Sequence, residues 1–328
     1  MINQSLVEQA IQAVSEHDDL EYLQRLFDML GAFGNLKDKG ESMLWHAVRF
    51  NESVEVVKLL LGRGATPNDN ILKTAIIHNP NPNITMQLCD AFGKLEQEQL
   101  DAAFLYAAAS CHDDILIRYF HKLGANLSAT LPMDIYMDQE DFSTDWEDED
   151  EYEFDEHPVE QNAIVVAIYE NPQPDLMVEH LSSLGVPVDT PDSEGYVPLL
   201  HALDNARVVQ VLLEHHADPN CTDVHGNSAL MLSCEAENGN TVFTLLKAGA
   251  EVHTVSSRGE TALHQALMCH MRDNTEVVKA LIEAGSDVNL PDKDGNMPLR
   301  LALSNCAPES VIRLLTNAGA QLELSDIS

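Results

Sequence analysis

Residues 259–289 read G-E-T-A-L-H-Q-A-L-M-C-H-M-R-D-N-T-E-V-V-K-A-L-I-E-A-G-S-D-V-N, and this stretch decides the fold. Gly259 opens it as a turn residue free to take positive φ. Two apolar runs follow, divided by a polar stretch, and their spacing suits two short helices. Gly285 closes the second run where a helix needs a left-handed cap.

Working outward, the same plan recurs. Residues 292–302 read D-K-D-G-N-M-P-L-R-L-A, and 310–320 read S-V-I-R-L-L-T-N-A-G-A. Upstream, H-G-N-S-A-L-M-L (225–232) precedes T-V-F-T-L-L-K-A-G-A (241–250), and E-G-Y-V-P-L-L-H-A (194–202) precedes R-V-V-Q-V-L-L-E-H-H-A-D-P-N (207–220). The turn glycines Gly195, Gly226, Gly259 and Gly295 are spaced by 31, 33 and 36 residues. A fixed period of this size is the signature of a stacked repeat. Pro198 and Pro298 fit the first turn of a helix, where a missing N–H costs nothing. The small Ala202, Ala266 and Ala302 let helices approach closely.

These copies resemble the ankyrin repeat, whose pattern is D-x-x-G-x-T-P-L-H-x-A followed by a second helix ending in G-A-D-V-N. The resemblance implies an all-α solenoid of helix-turn-helix units joined by short hairpin-like loops. It also implies that partners bind the concave face, made by the loop tips and the first helix of each pair. Mapped onto this chain, that surface holds Tyr196, His225, Asn227, Arg258, Glu260, Lys293, Asp294 and Asn296 at the tips. Asp204, Glu235, Met268 and Arg300 are their neighbours on first helices. His264 falls on the histidine of the T-P-L-H pattern, which implies a structural role within its repeat. Trp45, Leu200, Met231 and Arg300 replace that histidine elsewhere.

The N-terminal half is more degenerate. K-D-K-G-E-S-M-L-W-H-A (37–47) with S-V-E-V-V-K-L-L-L-G-R-G-A (53–65) is a clear copy. Residues 71–89, 100–126 and 163–181 keep the helix pair without the loop motif, and N-P-x-P joins the helices of the first and last of these. Residues 3–30 read as an N-terminal cap with a polar outer face. Eight repeats and a cap therefore cover nearly all 328 residues: cap and degenerate repeats in 1–130, regular repeats in 161–328.

Between them, 131–160 breaks the period with 14 acidic residues and no Lys or Arg. Removing those 14 charges from the net −36 leaves −22 on the other 298 residues, so the whole surface is acidic. Like-charge repulsion argues against an independent fold here. Phe142, Trp146, Tyr152 and Phe154 interleave with carboxylates such as Asp148, Glu149 and Asp150. Three readings stay open: a solvated loop, an apolar-and-acidic element that docks on a basic groove or folds back over the repeats, and a calcium site.

So acidic a chain offers phosphate no basic patch and is repelled by anionic membranes, which argues against nucleic-acid and membrane partners. A basic protein would be captured quickly. No run approaches the ~20 apolar residues of a membrane span. The six cysteines, in mostly helix-like runs without a CxxC pair, read as small apolar residues of a reducing, cytoplasmic protein. No spacing of His, Cys or carboxylates defines a metal site, cofactor or catalytic constellation, and D-K-D-G-N (292–296) fails as a calcium loop because Leu303 stands at its twelfth position. The sequence thus predicts a non-enzymatic, acidic adaptor or stoichiometric inhibitor of a basic protein, possible forms including an immunity-protein or DNA-mimic-like antagonist. The alternative is a bacterial ankyrin effector, delivered from the cell, that recruits host proteins.

Overall fold

The computed structural model describes residues 4–16, 19–30, 37–38, 41–132, 160–235, 239–268 and 274–322. Among them are eighteen helices in nine consecutive pairs, and strands of only two or three residues. The first pair is the cap, α1 (Gln4–Glu16) and α2 (Leu20–Leu30). Three pairs follow: α3 (Met43–Phe50) with α4 (Val54–Gly62), α5 (Asp69–His78) with α6 (Pro82–Phe92), and α7 (Gln97–Ser110) with α8 (Ile115–Leu123). Five more complete the series: α9 (Ala163–Glu170) with α10 (Pro174–Ser183), α11 (Pro198–His201) with α12 (Ala206–Glu214), α13 (Ala229–Glu235) with α14 (Gly239–Lys247), α15 (Ala262–Met268) with α16 (Thr275–Glu283), and α17 (Pro298–Ser304) with α18 (Glu309–Asn317). The expected eight helix pairs and a cap are therefore present, and residues 133–159 of the acidic 131–160 stretch lie outside the described residues.

Contacts divide the chain into two compact units. One comprises residues 1–158 with 169–173, the other 159–168 with 174–328. In the first unit, first helices stack on first helices (α1, α3, α5, α7) and second on second (α2, α4, α6). The second unit repeats the arrangement with α11, α13, α15 and α17 against α10, α12, α14, α16 and α18.

The second helices bury one stripe each. In V-E-V-V-K-L-L-L, Val56, Val57 and Leu60 are buried, while Glu55 and Lys58 pair on the outer side at 2.7 Å. Equivalent stripes are Leu116–Ile117–Phe120, Met177–Val178–Leu181 and Val208–Val209–Leu212. Burying each such side chain contributes about 1.5–3 kcal/mol. Ala202, Ala266 and Ala302 are buried, as their small size predicts.

Seven of these helices end alike. The backbone N–H of the residue after the cap reaches five residues back, as in Ala65→Leu60, Ala125→Phe120 and Ala250→Leu245. Glycine takes the left-handed position at most ends, but His216 does so at φ 71° after α12.

The joints between paired helices carry a second device. In the first unit the Asn51 side-chain amide donates to the Val14 carbonyl at 3.0 Å. Asn79 donates to the carbonyls of Val48 and Asn51, and Asn171 to those of Ala108 and Cys111. Each asparagine also accepts, through Oδ1, the N–H two residues on, at Ser53, Asn81 and Gln173. All three are buried. The N-P-x-P joints thus have a physical basis: the asparagine clamps the preceding repeat, and the second proline (Pro82, Pro174) opens the next helix. In the second unit Asn305 donates to the Leu267 carbonyl at 3.0 Å, and the buried Thr241 hydroxyl reaches the Leu203 carbonyl at 2.8 Å.

Replacing Asn79 by Ala leaves two buried carbonyls without a donor. The expected loss is about 2–3 kcal/mol, read as a lower denaturant midpoint. Substitution of Asn83, exposed on the next turn, should move it far less.

Candidate protein-interaction surface

The loop tips of the second unit share one construction. In D-x-x-G-x the first residue folds its side chain over the turn. Asp192 Oδ1 accepts from the N–H groups of Glu194 and Tyr196, Asp223 Oδ1 from His225 and Asn227, and Asp292 Oδ1 from Asp294 and Asn296. Ser256 supplies its hydroxyl to Arg258 and Glu260 in the same way. The backbone closes each turn with a bond between residues four apart, such as Asp292 N–H to the Asn296 carbonyl at 3.1 Å. These bonds hold the Asp292 carboxyl below its ordinary range. Partial burial opposes that shift, and the Asn296 side chain and backbone donors outweigh it.

Successive tips are stitched together. Ser257 N–H donates to the His225 carbonyl and Lys293 N–H to that of Arg258, at 2.9 and 3.0 Å. The Lys293 ammonium adds a 2.6 Å bond to the Ser257 carbonyl. Gly259 sits where this approach is tightest: a Cβ there would lie 3.0 Å from the Lys293 backbone nitrogen, at a φ of 78°. Its hydrogen atom is a packing requirement as well as a conformational one.

His264 lies wholly buried behind these tips. Its Nδ1 accepts from the Thr261 N–H at 3.1 Å and lies 2.8 Å from the Thr261 hydroxyl. That pattern assigns the proton of the neutral ring to Nε2, which faces the backbone of Leu290 and Asn296 outside hydrogen-bond geometry. Burial lowers its pKa, against the raising influence of Asp292, nearby carbonyls and Glu260.

The tip residues singled out in the sequence fall into two groups. His225, Arg258, Lys293 and Asp294 are exposed on the tip edge, with Tyr196 half-buried beside His201 at 5.9 Å between rings. Asn227 and Asn296 use their amides inside the turn, each donating to its own aspartate at 2.8 Å. Glu260 is buried, receiving Gln265 at 3.0 Å and Arg258 at 3.3 Å. Met268 ends α15 half-exposed. Asp204 lies in the turn after the four-residue α11, not on a helix as its sequence position suggests, because Asn205 already caps α12. Phe142, Trp146, Asp148, Glu149, Asp150, Tyr152 and Phe154 lie outside the described residues.

Two sequence expectations need adjustment. Of the five described cysteines, only Cys89 and Cys234 are within helices; Cys111, Cys221 and Cys306 lie outside them, where helix periodicity does not reach. Burial pushes the thiols of Cys89, Cys111 and Cys221 up to about 12, so they stay protonated. The first-helix face of the first unit also carries features that tip mapping missed. The Arg49 guanidinium lies over the Trp45 ring at 5.4 Å and over Phe50, itself exposed, at 5.8 Å. Aromatics spaced at i and i+5 around an arginine were the available signal.

Chain comparisons agree with this geometry. The family described as ankyrin repeats in three copies matches residues 163–256 and 230–326, and the single ankyrin repeat matches 39–72. The chain belongs to the ankyrin-repeat family. An ankyrin repeat domain from Acinetobacter baumannii AYE has a similar solved structure, with 28% identity and a TM-score of 0.53, covering 66% of this chain and 98% of that one. Curated relatives include the E3 ubiquitin-protein ligase KEG of Arabidopsis thaliana, 33% identical over 103 residues, and an ankyrin repeat protein of Fowlpox virus (strain NVSL), 34% identical over 129. These matches span 31% and 39% of this chain but only 6% and 28% of the relatives' lengths. Among the described residues no group of three His, Cys, Asp or Glu side chains could hold a metal, and no helix is long and apolar enough to cross a membrane.

In this ankyrin-repeat protein, Gly259→Ala should destabilise by about 2–4 kcal/mol, from left-handed strain and displacement of the neighbouring tip. Gly249→Ala meets no atom within 4 Å and should cost about 1 kcal/mol; thermal unfolding of the two variants compares them. For His264 the lowered pKa means the unfolded chain binds a proton that the folded chain refuses. Its contribution is therefore complete above about pH 6.5 and lost as pH falls below that value. His264→Asn should flatten the dependence of the melting temperature on pH between about 7 and 5.

Proposed function

We propose that this ankyrin-repeat protein is a non-enzymatic binding module that captures a basic protein, acting as an acidic adaptor or a stoichiometric inhibitor. The observation that carries the reading is the net charge of −36 borne by a repeat scaffold. The ankyrin repeats support protein-protein interaction as the general activity. Apolar stripes, joint clamps and the tip aspartates hold the repeats together, which leaves the exposed carboxylates elsewhere to act together. A field of one sign steers an oppositely charged partner and raises its association rate.

The exposed tip residues His225, Arg258, Lys293 and Asp294, with Tyr196 beside them, are the positions in the second unit best suited to fix register with the partner. The aromatic and acidic residues between 138 and 156 are the corresponding candidates in the inserted stretch.

Affinity capture from cell extract with the full chain, against a near-neutral ankyrin array as control, tests the reading. Basic proteins should be enriched at low salt and released as salt rises from about 0.1 to 1 M, over which the Debye length falls from about 10 to 3 Å. Neutralising the carboxylates of 138–156 should weaken capture further. A captured set no more basic than the control's, and indifferent to salt, would overturn it.

A further inference from the structure

The first unit contains a depression of about 500 Å³ between α5 and α7. We propose that it is the docking groove for an arginine- or lysine-bearing segment of the partner. This rests on the reading of the chain as a binder of basic proteins and locates where one such side chain seats.

The groove exists because α7 presents Ala102 and Ala103 where α5 presents Leu72 and Ile76. Two small side chains opposite two large ones leave a channel with an apolar floor. Such a floor suits the methylene stem of a long cationic side chain, which buries its carbons while the charged end stays near polar groups. The polar groups are in place at the rim: Asp69 from the start of α5, and Glu96 and Glu98 at the start of α7. Gln99 donates to Asp69 Oδ1 at 2.7 Å, holding that carboxylate across the gap between the helices.

Lys73 is the one cation among the lining residues, and its ammonium lies 5.3 Å from the centre of the Tyr106 ring. Three carboxylates against one ammonium leave the groove negative. The ring face of Tyr106 already receives a cation, which is the geometry an incoming guanidinium would use. Lys73 therefore acts as a resident competitor: it occupies the ring and repels the partner's charge. A neutral side chain of similar length at that position would strengthen docking.

The probe is a fluorescein-labelled octapeptide of alternating arginine and serine, titrated by anisotropy against the full chain. Glu96→Gln/Glu98→Gln should weaken binding about tenfold. Glu52→Gln/Glu55→Gln, which changes net charge equally away from the groove, should weaken it less than threefold. Lys73→Met should tighten binding at least threefold with its unfolding midpoint unchanged, and Glu98→Gln alone, which spares the α7 cap that Glu96 forms with Gln99, should weaken binding in the same direction as the double variant. Equal weakening by the two double variants would overturn the groove while leaving capture of basic partners standing. No gain from Lys73→Met would overturn the competitor role and the groove with it. No binding by the unaltered chain at low salt would remove both readings.

Discussion

Short helices create a supply problem for backbone hydrogen bonds. The last four carbonyls of each helix have no partner within it, and the first helices here run from four to fourteen residues, so a large share of their carbonyls is orphaned. The stack depends on each repeat satisfying its predecessor. Asn51, Asn79, Asn171, Thr241 and Asn305 do so from the joints, reaching back 37, 31, 63, 38 and 38 residues. At the opposite edge the bonds from Ser257 and Lys293 tie tip to tip. Apolar burial supplies the drive to stack, while these bonds set where stacking stops.

Much of this was legible in the sequence, and the parts that were not share a cause. The second helices and their caps could be read directly, because V-V-x-L-L runs and following glycines are local signals. The four tips were legible as turns from their spaced glycines. The clamps were not: N-P-x-P is visible as a joint, but its asparagine's partners lie some thirty or more residues upstream. Asn227 and Asn296 looked available for a partner because a polar residue at a tip is ordinarily exposed. Their amides close the turn through the preceding aspartates. Glu260 was misleading for a similar reason, since its carboxylate is buried against Gln265 and Arg258.

The first unit makes the complementary point. Without the loop motif, its contact surface could not be mapped from the family pattern. Trp45 and Lys73 stand at positions where the pattern would have an inward histidine, and both instead contribute rings or charge to cation–π pairs. The degeneracy of this half thus changes the chemistry of its first-helix face while leaving the helix pairing intact. Regular repeats in the second unit add tip-to-tip bonds to their joint clamps, while the irregular ones in the first are held at the joints by asparagine.

The asparagine ladder also has a direction. In every bond the donor belongs to the later residue and the acceptor to the earlier one. A chain emerging from the ribosome as far as Asn79 has already made the carbonyls of Val48 and Asn51, so that clamp can close at once. Only acceptors wait at the growing end, where water serves them until the next asparagine arrives. The order of synthesis and the order of assembly coincide, and each repeat is born facing a completed template.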